Sequence, residues 1–166
     1  AMHYLKLKQP RTWISSGGAG TMGFGLPAAI GAKIGRPKSN VFLLDGDGSF
    51  QMTSQELETI RSHKIKIVPI IFNNSFLGLV RQWLEIFHER RYSQMNLGQE
   101  IEFVKIAKAY HLDGITVEQP SELADAIKQS LKADKTTIVD VKIEEESNVL
   151  PMLPPGGHLK EAFGKC

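Results

Sequence analysis

Val41-Phe42-Leu43-Leu44-Asp45-Gly46-Asp47-Gly48-Ser49 is an apolar run that ends on a carboxylate set between two glycines. A continuous apolar run of this kind suits a strand buried on both faces of a parallel sheet. The glycines permit tight turning and close approach, and N–H groups opening the next segment can point at an anion. The next apolar run, residues 65–72, ends in Asn73-Asn74. Asp47 can offer one oxygen to a metal and the Asn74 carboxamide another. Oxygen ligation with few protein ligands is how Mg2+ is held, phosphates and water completing the octahedron. Gly-Asp-Gly alone fits an ordinary loop turn, and the answering Asn-Asn pair is what favours a site for a phosphate and a hard cation.

Working outward, residues 3–11 read as a polar connector, and Ala1-Met2 as an added start. A short strand is expected at 12–14, before a glycine-rich segment. A helix is expected over 26–34, with Pro27 in its first turn where a missing N–H costs little. Thr53 and Glu56 have capping-box spacing for a helix reaching Ser62. The strand at 65–72 contains Pro69, which predicts a bulge or local distortion. Residues 76–90 read as a helix with two adjacent apolar stripes, Leu77/Val80/Leu84/Phe87 and Leu79/Trp83/Ile86, wide enough to face both a core and a pocket or partner. Helices at 101–110 and 121–132 alternate with strands at 114–117 and 136–143. From residue 144 onward, Pro151, Pro154, Pro155, Gly156 and Gly157 preclude regular structure for most of the length. The alternation predicts an α/β fold: an open parallel sheet flanked by helices on both faces, with an irregular Pro/Gly-rich C-terminal arm. A ligand is expected at the carboxyl ends of the strands. The expected division is a connector over 1–11, one domain over 12–146 and the arm over 147–166.

Composition limits the alternatives. The chain has 166 residues, 42% of them hydrophobic and 23% charged, as in ordinary globular proteins. A net charge of +2 with scattered basic residues does not point to nucleic acid. The sole cysteine, Cys166, is the last residue, so no internal disulfide is expected. No apolar run is long enough to span a bilayer and no signal-peptide pattern opens the sequence, so a soluble, cytoplasmic protein is expected (organellar if eukaryotic). His3, His63, His111 and His158 show no metal-ligand spacing. His88 to Arg91 reads as a solvated helix end, where cations suit the dipole. Glu144 to Glu146 reads as a solvated charge run.

Gly46-Asp47-Gly48 followed by Asn73-Asn74 resembles the metal and diphosphate signature of thiamine-diphosphate enzymes. Ser15-Ser16-Gly17-Gly18-Ala19-Gly20-Thr21-Met22-Gly23-Phe24-Gly25-Leu26-Pro27-Ala28-Ala29, Val80-Arg81-Gln82-Trp83, Arg91-Tyr92-Ser93 and Leu150-Pro151-Met152-Leu153-Pro154-Pro155-Gly156-Gly157 narrow it. Together they resemble the large, catalytic subunit of acetohydroxyacid synthase (acetolactate synthase), from about Trp13 onward. The resemblance implies thiamine diphosphate and Mg2+ as cofactors, with pyruvate and 2-ketobutyrate as substrates. It implies that Asp47, the Asn74 side chain and the Phe76 carbonyl hold the metal. Gly46, Gly48 and Ser49 would lie at the diphosphate, while Asn73 orients the loop. The Gly20 carbonyl and Met22 N–H would hold the aminopyrimidine, the Met22 side chain would prop the cofactor in a bent shape, and Trp83 would shape the acceptor pocket. Those enzymes have three domains and this sequence matches only the last. The activating glutamate, FAD and a substrate-binding arginine are therefore expected outside it, and no catalytic residue within it. Assembly as a homodimer or higher oligomer through the other domains is implied, with a regulatory small subunit. The arm would fold over the active site in the full enzyme and be mobile in the isolated domain.

Bland and rival readings stand beside these. Read from the residues alone, Met22 suits a core and Trp83 a half-buried packing position. Gly18-Ala19-Gly20-Thr21-Met22-Gly23 literally fits G-x-G-x-x-G, with Asp45 closing the following strand, as in an NAD-type dinucleotide-binding domain. That reading leaves Gly46-Asp47-Gly48 and Asn73-Asn74 unexplained. A non-catalytic interaction module derived from the enzyme is the second alternative, suggested by the wide apolar face over 76–90.

Overall fold

The structure is a computed structural model that describes residues 4–98 and 101–164; Ala1, Met2, His3 and Cys166 lie outside the described residues. Four strands form one sheet: β1 (Phe42–Gly46), β2 (Val68–Asn73), β3 (Asp113–Val117) and β4 (Thr137–Lys142). All neighbours are parallel and the order is β1-β2-β4-β3. The helices are α1 (Gly25–Gly35), α2 (Asp47–Gln51), α3 (Leu57–Ser62), α4 (Gly78–Phe87), α5 (Phe103–Ala109) and α6 (Leu123–Lys132). No helix among the described residues is long and apolar enough to cross a membrane.

Alternation along the strands divides the core in two. Leu43, Ile71 and Ile138 face Leu26 and Ile30 of α1, Phe50 of α2, Leu57 and Ile60 of α3, and Phe103 and Ala107 of α5. The intervening residues Leu44, Ile70, Val139 and Val141 face α6, through Leu123, Ala126, Ile127 and Leu131. The sheet is thus covered on both faces, as the apolar runs require. Coverage by α6 is incomplete: Phe42 and Phe72 point to its side yet remain 42% and 39% exposed.

Several local expectations are corrected. Residues 12–14 form no strand. Pro69 causes no bulge; it pairs in register with Leu43 in a central strand. The Val68 N–H donates to Val41 on the β1 side, so the position of the next residue's missing N–H turns toward β4. Pairing with β4 begins only at Ile70, and the deficit falls before that ladder starts. Thr53 and Glu56 make no capping box. The Thr53 hydroxyl donates instead to the Gly23 carbonyl at 3.0 Å, and Glu56 accepts from the Thr59 hydroxyl at 3.0 Å. Nor is Gly46-Asp47-Gly48 a plain loop, since Asp47 opens the short helix α2 directly after β1.

The β2 and β4 segments are joined before their ladder by the fully buried Thr136. Its hydroxyl donates to the Ile65 carbonyl at 2.9 Å and accepts from the Ile67 N–H at 3.0 Å. Thr136→Val would leave both backbone groups without this partner. A loss of about 2 kcal/mol is expected in urea unfolding, whereas Thr136→Ser retains most of the stability.

Candidate functional site

Adjacent parallel strands end side by side. Gly46, the last residue of β1, is in register with Phe72 of β2, so Asp47 and Asn74 leave the sheet at neighbouring points of its carboxyl edge. Asp47 is 3% exposed. Its Oδ1 accepts from the Gly48 N–H at 2.8 Å and its Oδ2 from the Ser75 N–H at 2.7 Å. The Asn74 Oδ1 accepts from the Phe76 N–H at 3.3 Å, and its Nδ2 donates to the Glu145 carbonyl at 3.3 Å. Ser75 has φ +62°, a left-handed conformation that a side chain adopts at a cost. The turn is held by Leu77 N–H to Met95 O and Leu97 N–H to Ser75 O, each 2.8 Å.

Burial pushes the Asp47 carboxyl above its ordinary value, opposed by the N–H groups of Gly48 and Ser75 and reinforced by the nearby Asp140 charge. A desolvated carboxylate of this kind gains from a cation placed against it. Each carboxylate oxygen retains a lone pair beyond its N–H partner, as does the amide oxygen of Asn74. Among the described residues no group of three or more His, Cys, Asp or Glu could hold a metal. The side-chain donors here are instead one carboxylate and one carboxamide oxygen, a chemistry that fits a hard divalent cation.

Space beside these donors fits an anionic ligand. A Cβ on Gly46 or Gly20 would meet nothing within 4 Å. A Cβ on Gly48 would lie 2.7 Å from Leu77 Cδ2, 3.1 Å from Leu97 Cδ1 and 3.5 Å from Met22 Cε. Met22 therefore reaches over Gly48 and is 37% exposed, an open position rather than the core position its residue type suggests. Gly20 lies in a turn, its N–H on the Ser16 carbonyl, with φ +61°.

Ser49 staples the glycine-rich segment to the β1 end. Its hydroxyl accepts from the Gly23 N–H at 3.0 Å and stands close enough to the Asp45 carboxyl to counter its rise. Burial raises the Asp45 carboxyl, opposed by Ser49 and the Gly46 N–H, and its Oδ2 is buried without a partner. This arrangement also corrects the dinucleotide reading. Among the described residues no strand precedes Gly18, α1 starts only at Gly25, and the Asp45 Oδ2 is buried instead of open to a ribose.

Asn73 does not share this cluster. It is 6% exposed and its Nδ2 donates to Asp140 at 2.9 Å. Trp83 also stands apart, on α4, with its ring 5.4 Å from Phe87, which in turn meets Phe163 of the arm at 6.1 Å. On α4 the apolar stripes are only half covered, Leu79 being 63% and Val80 44% exposed. The residues it buries are Arg81 and Gln82, each 1% exposed. Arg81 donates to Glu85 at 2.9 Å, to the Glu146 carbonyl at 2.7 Å and to Asn148. Gln82 donates to the Val149 carbonyl at 3.0 Å and accepts from the Val149 N–H at 2.8 Å. These bonds dock the arm on α4; the run from Glu144 to Glu146 is exposed, as expected, with the Glu146 carbonyl on Arg81 and the Glu145 carbonyl on Asn74. Sequence reasoning missed Arg81, Gln82 and Asp140. Arg81 and Gln82 stood within the quoted segment Val80-Arg81-Gln82-Trp83 without a role assigned, and Asp140 carried a signal as a carboxylate inside the apolar run Ile138-Val139-Asp140-Val141.

Residues 1–141 match the family described as "Thiamine pyrophosphate enzyme, C-terminal TPP binding domain", and the chain belongs to that family. It is 43% identical over 95% of its length to the "Probable acetolactate synthase large subunit" of Methanocaldococcus jannaschii, and 44% identical over 97% to the acetolactate synthase large subunit of Lactococcus lactis. The chain spans only 26% and 28% of those relatives. Among solved structures, the thiamine diphosphate-dependent 4-hydroxybenzoylformate decarboxylase of Rhodococcus jostii superposes with a TM-score of 0.71 at 34% identity, over 75% of this chain and 24% of that one.

Two outcomes follow from the site. Because burial raises the Asp47 carboxyl, a bound cation competes with a proton at a higher pH than for a free aspartate. Mg2+ affinity should therefore fall on acidification before an ordinary aspartate titrates, as read by calorimetry across a pH series. Arg81→Met should release the arm, seen as faster proteolytic cleavage within residues 144–164 with the sheet domain still folded.

Proposed function

We propose that this chain is the thiamine-diphosphate- and Mg2+-binding C-terminal part of an acetolactate synthase large subunit. Such an enzyme decarboxylates pyruvate and joins the two-carbon unit to pyruvate or 2-ketobutyrate in branched-chain amino-acid biosynthesis. The observation that carries the reading is the convergence of Asp47 Oδ2 and Asn74 Oδ1 on the consecutive N–H groups of Ser75 and Phe76. Two oxygens held against neighbouring residues of one turn support a shared cation.

In this reading Asp47, Asn74 and the Phe76 carbonyl hold Mg2+, and the backbone of Gly46, Gly48 and Ser49 faces the diphosphate. The Gly20 carbonyl and the Met22 N–H orient the aminopyrimidine, and the Met22 side chain over Gly48 supplies an apolar prop. Trp83 forms a wall of the acceptor pocket, where one methylene is worth about 1–3 kcal/mol. Thiamine diphosphate supplies the carbanion chemistry when bound; these residues bind and orient it. Residues 12–146 serve as the binding domain and 147–166 as an arm that folds over the active site in the full enzyme. The activating glutamate, FAD and the substrate-binding arginine belong to other domains of a cytoplasmic or organellar oligomer, with a regulatory small subunit. Uncovered apolar side chains at Phe42, Phe72, Leu79 and Val80 support a domain that packs against further protein.

Mg2+ with thiamine diphosphate should raise the melting temperature of the chain, and NAD should not. Asp47→Ala should remove the Mg2+-dependent part of that gain. The purified chain alone should make no acetolactate, and robust product formation without other domains would overturn the proposal.

A further inference from the structure

We propose that Asp140 is a positioning residue of the cation site, holding through the Asn73 carboxamide the turn that carries Asn74 and Phe76. The inference rests on the reading of Asp47, Asn74 and Phe76 as ligands. Asp140 lies in β4, in register with Ile71 of β2 and 2% exposed. A carboxylate at such a position costs stability that an apolar residue would not. Its two oxygens are both used: Oδ1 accepts from Asn73 Nδ2 at 2.9 Å, and Oδ2 meets Lys142 Nζ at 2.9 Å.

Asn73 is therefore gripped twice by β4. Its carboxamide is tied to Asp140, and its backbone carbonyl accepts from the Ile143 N–H at 3.1 Å. The next residue is Asn74, and the left-handed Ser75 follows, so a rotation at Asn73 would carry the Asn74 oxygen and the Phe76 backbone away from Asp47. Charge is the competing explanation, since Asp140 lies near enough to Asp47 to act on it. That influence is the smallest of those on Asp47, and the Asp140 carboxylate is itself paired with the Lys142 ammonium. The hydrogen bond is the stronger candidate. Outer partners of metal ligands typically change metal affinity by about 10- to 100-fold when removed.

The test is a Mg2+ titration of the full-length subunit at saturating thiamine diphosphate, with binding read by calorimetry and independently of turnover. Asp140→Ala should weaken Mg2+ binding by about 10- to 100-fold. Asp140→Asn, which keeps an acceptor for Asn73, should stay close to the parent. Asn73→Ala should match Asp140→Ala, and the double variant should be no worse than either single one, because both remove the same bond. If Asp140→Ala does not fold, Asn73→Ala, which leaves β4 intact, carries the same expectation against Asp140→Asn. Equal losses in Asp140→Asn and Asp140→Ala, additive losses, or no loss would overturn the inference while leaving the ligand assignment in place. Absence of Mg2+-dependent binding in the parent subunit would overturn both.

Discussion

The hydrogen bond from the Ser75 N–H to the buried Asp47 carboxylate, 2.7 Å long, ties the ends of two adjacent parallel strands together. A carboxylate that is 3% exposed requires compensation, and two backbone N–H groups supply part of it. The rest of the site is arranged around that constraint. A Cβ on Gly48 would press on the ends of Leu77 and Leu97, and Ser75 turns left-handed with its N–H on Asp47. Burial also keeps the carboxyl easier to protonate than usual. In the cation-free chain this works against the fold: stability falls as pH rises from the ordinary aspartate range through the raised value, because the unfolded chain ionises first. The arrangement gives up stability to hold a carboxylate in a fixed place at the strand ends.

A second layer of buried polar groups sets the first. Asp140 and Ile143 hold Asn73, while Asp45, Ser49 and Thr53 hold the peptide of Gly23. The segment after β1 and the glycine-rich segment are thereby fixed to each other through side chains. Polar groups of this kind are effective only when satisfied, and the unpartnered Asp45 Oδ2 is the exception at the centre of the site.

Helix α4 inverts the usual pattern. Its arginine and glutamine are buried under the arm, and its leucine and valine stay open. Gln82 reads both backbone groups of Val149, and Arg81 gathers the arm's carbonyl and amide oxygens. Together with the open Phe42 and Phe72, this leaves two apolar surfaces on a chain that spans about a quarter of its relatives.

The amino-acid sequence by itself determined the α/β alternation, the carboxyl-end location of the site and the pairing of Gly46-Asp47-Gly48 with Asn73-Asn74. Those signals are local, resting on apolar runs, glycine punctuation and motif spacing. Tertiary structure decided the strand order, the harmless placement of Pro69 before the β4 ladder, and the diversion of Thr53 from a helix cap to Gly23. It also decided that Arg81, Gln82 and Asp140 would be buried. Whether a polar side chain is buried depends on which distant segment comes to lie over it, and no local periodicity encodes that.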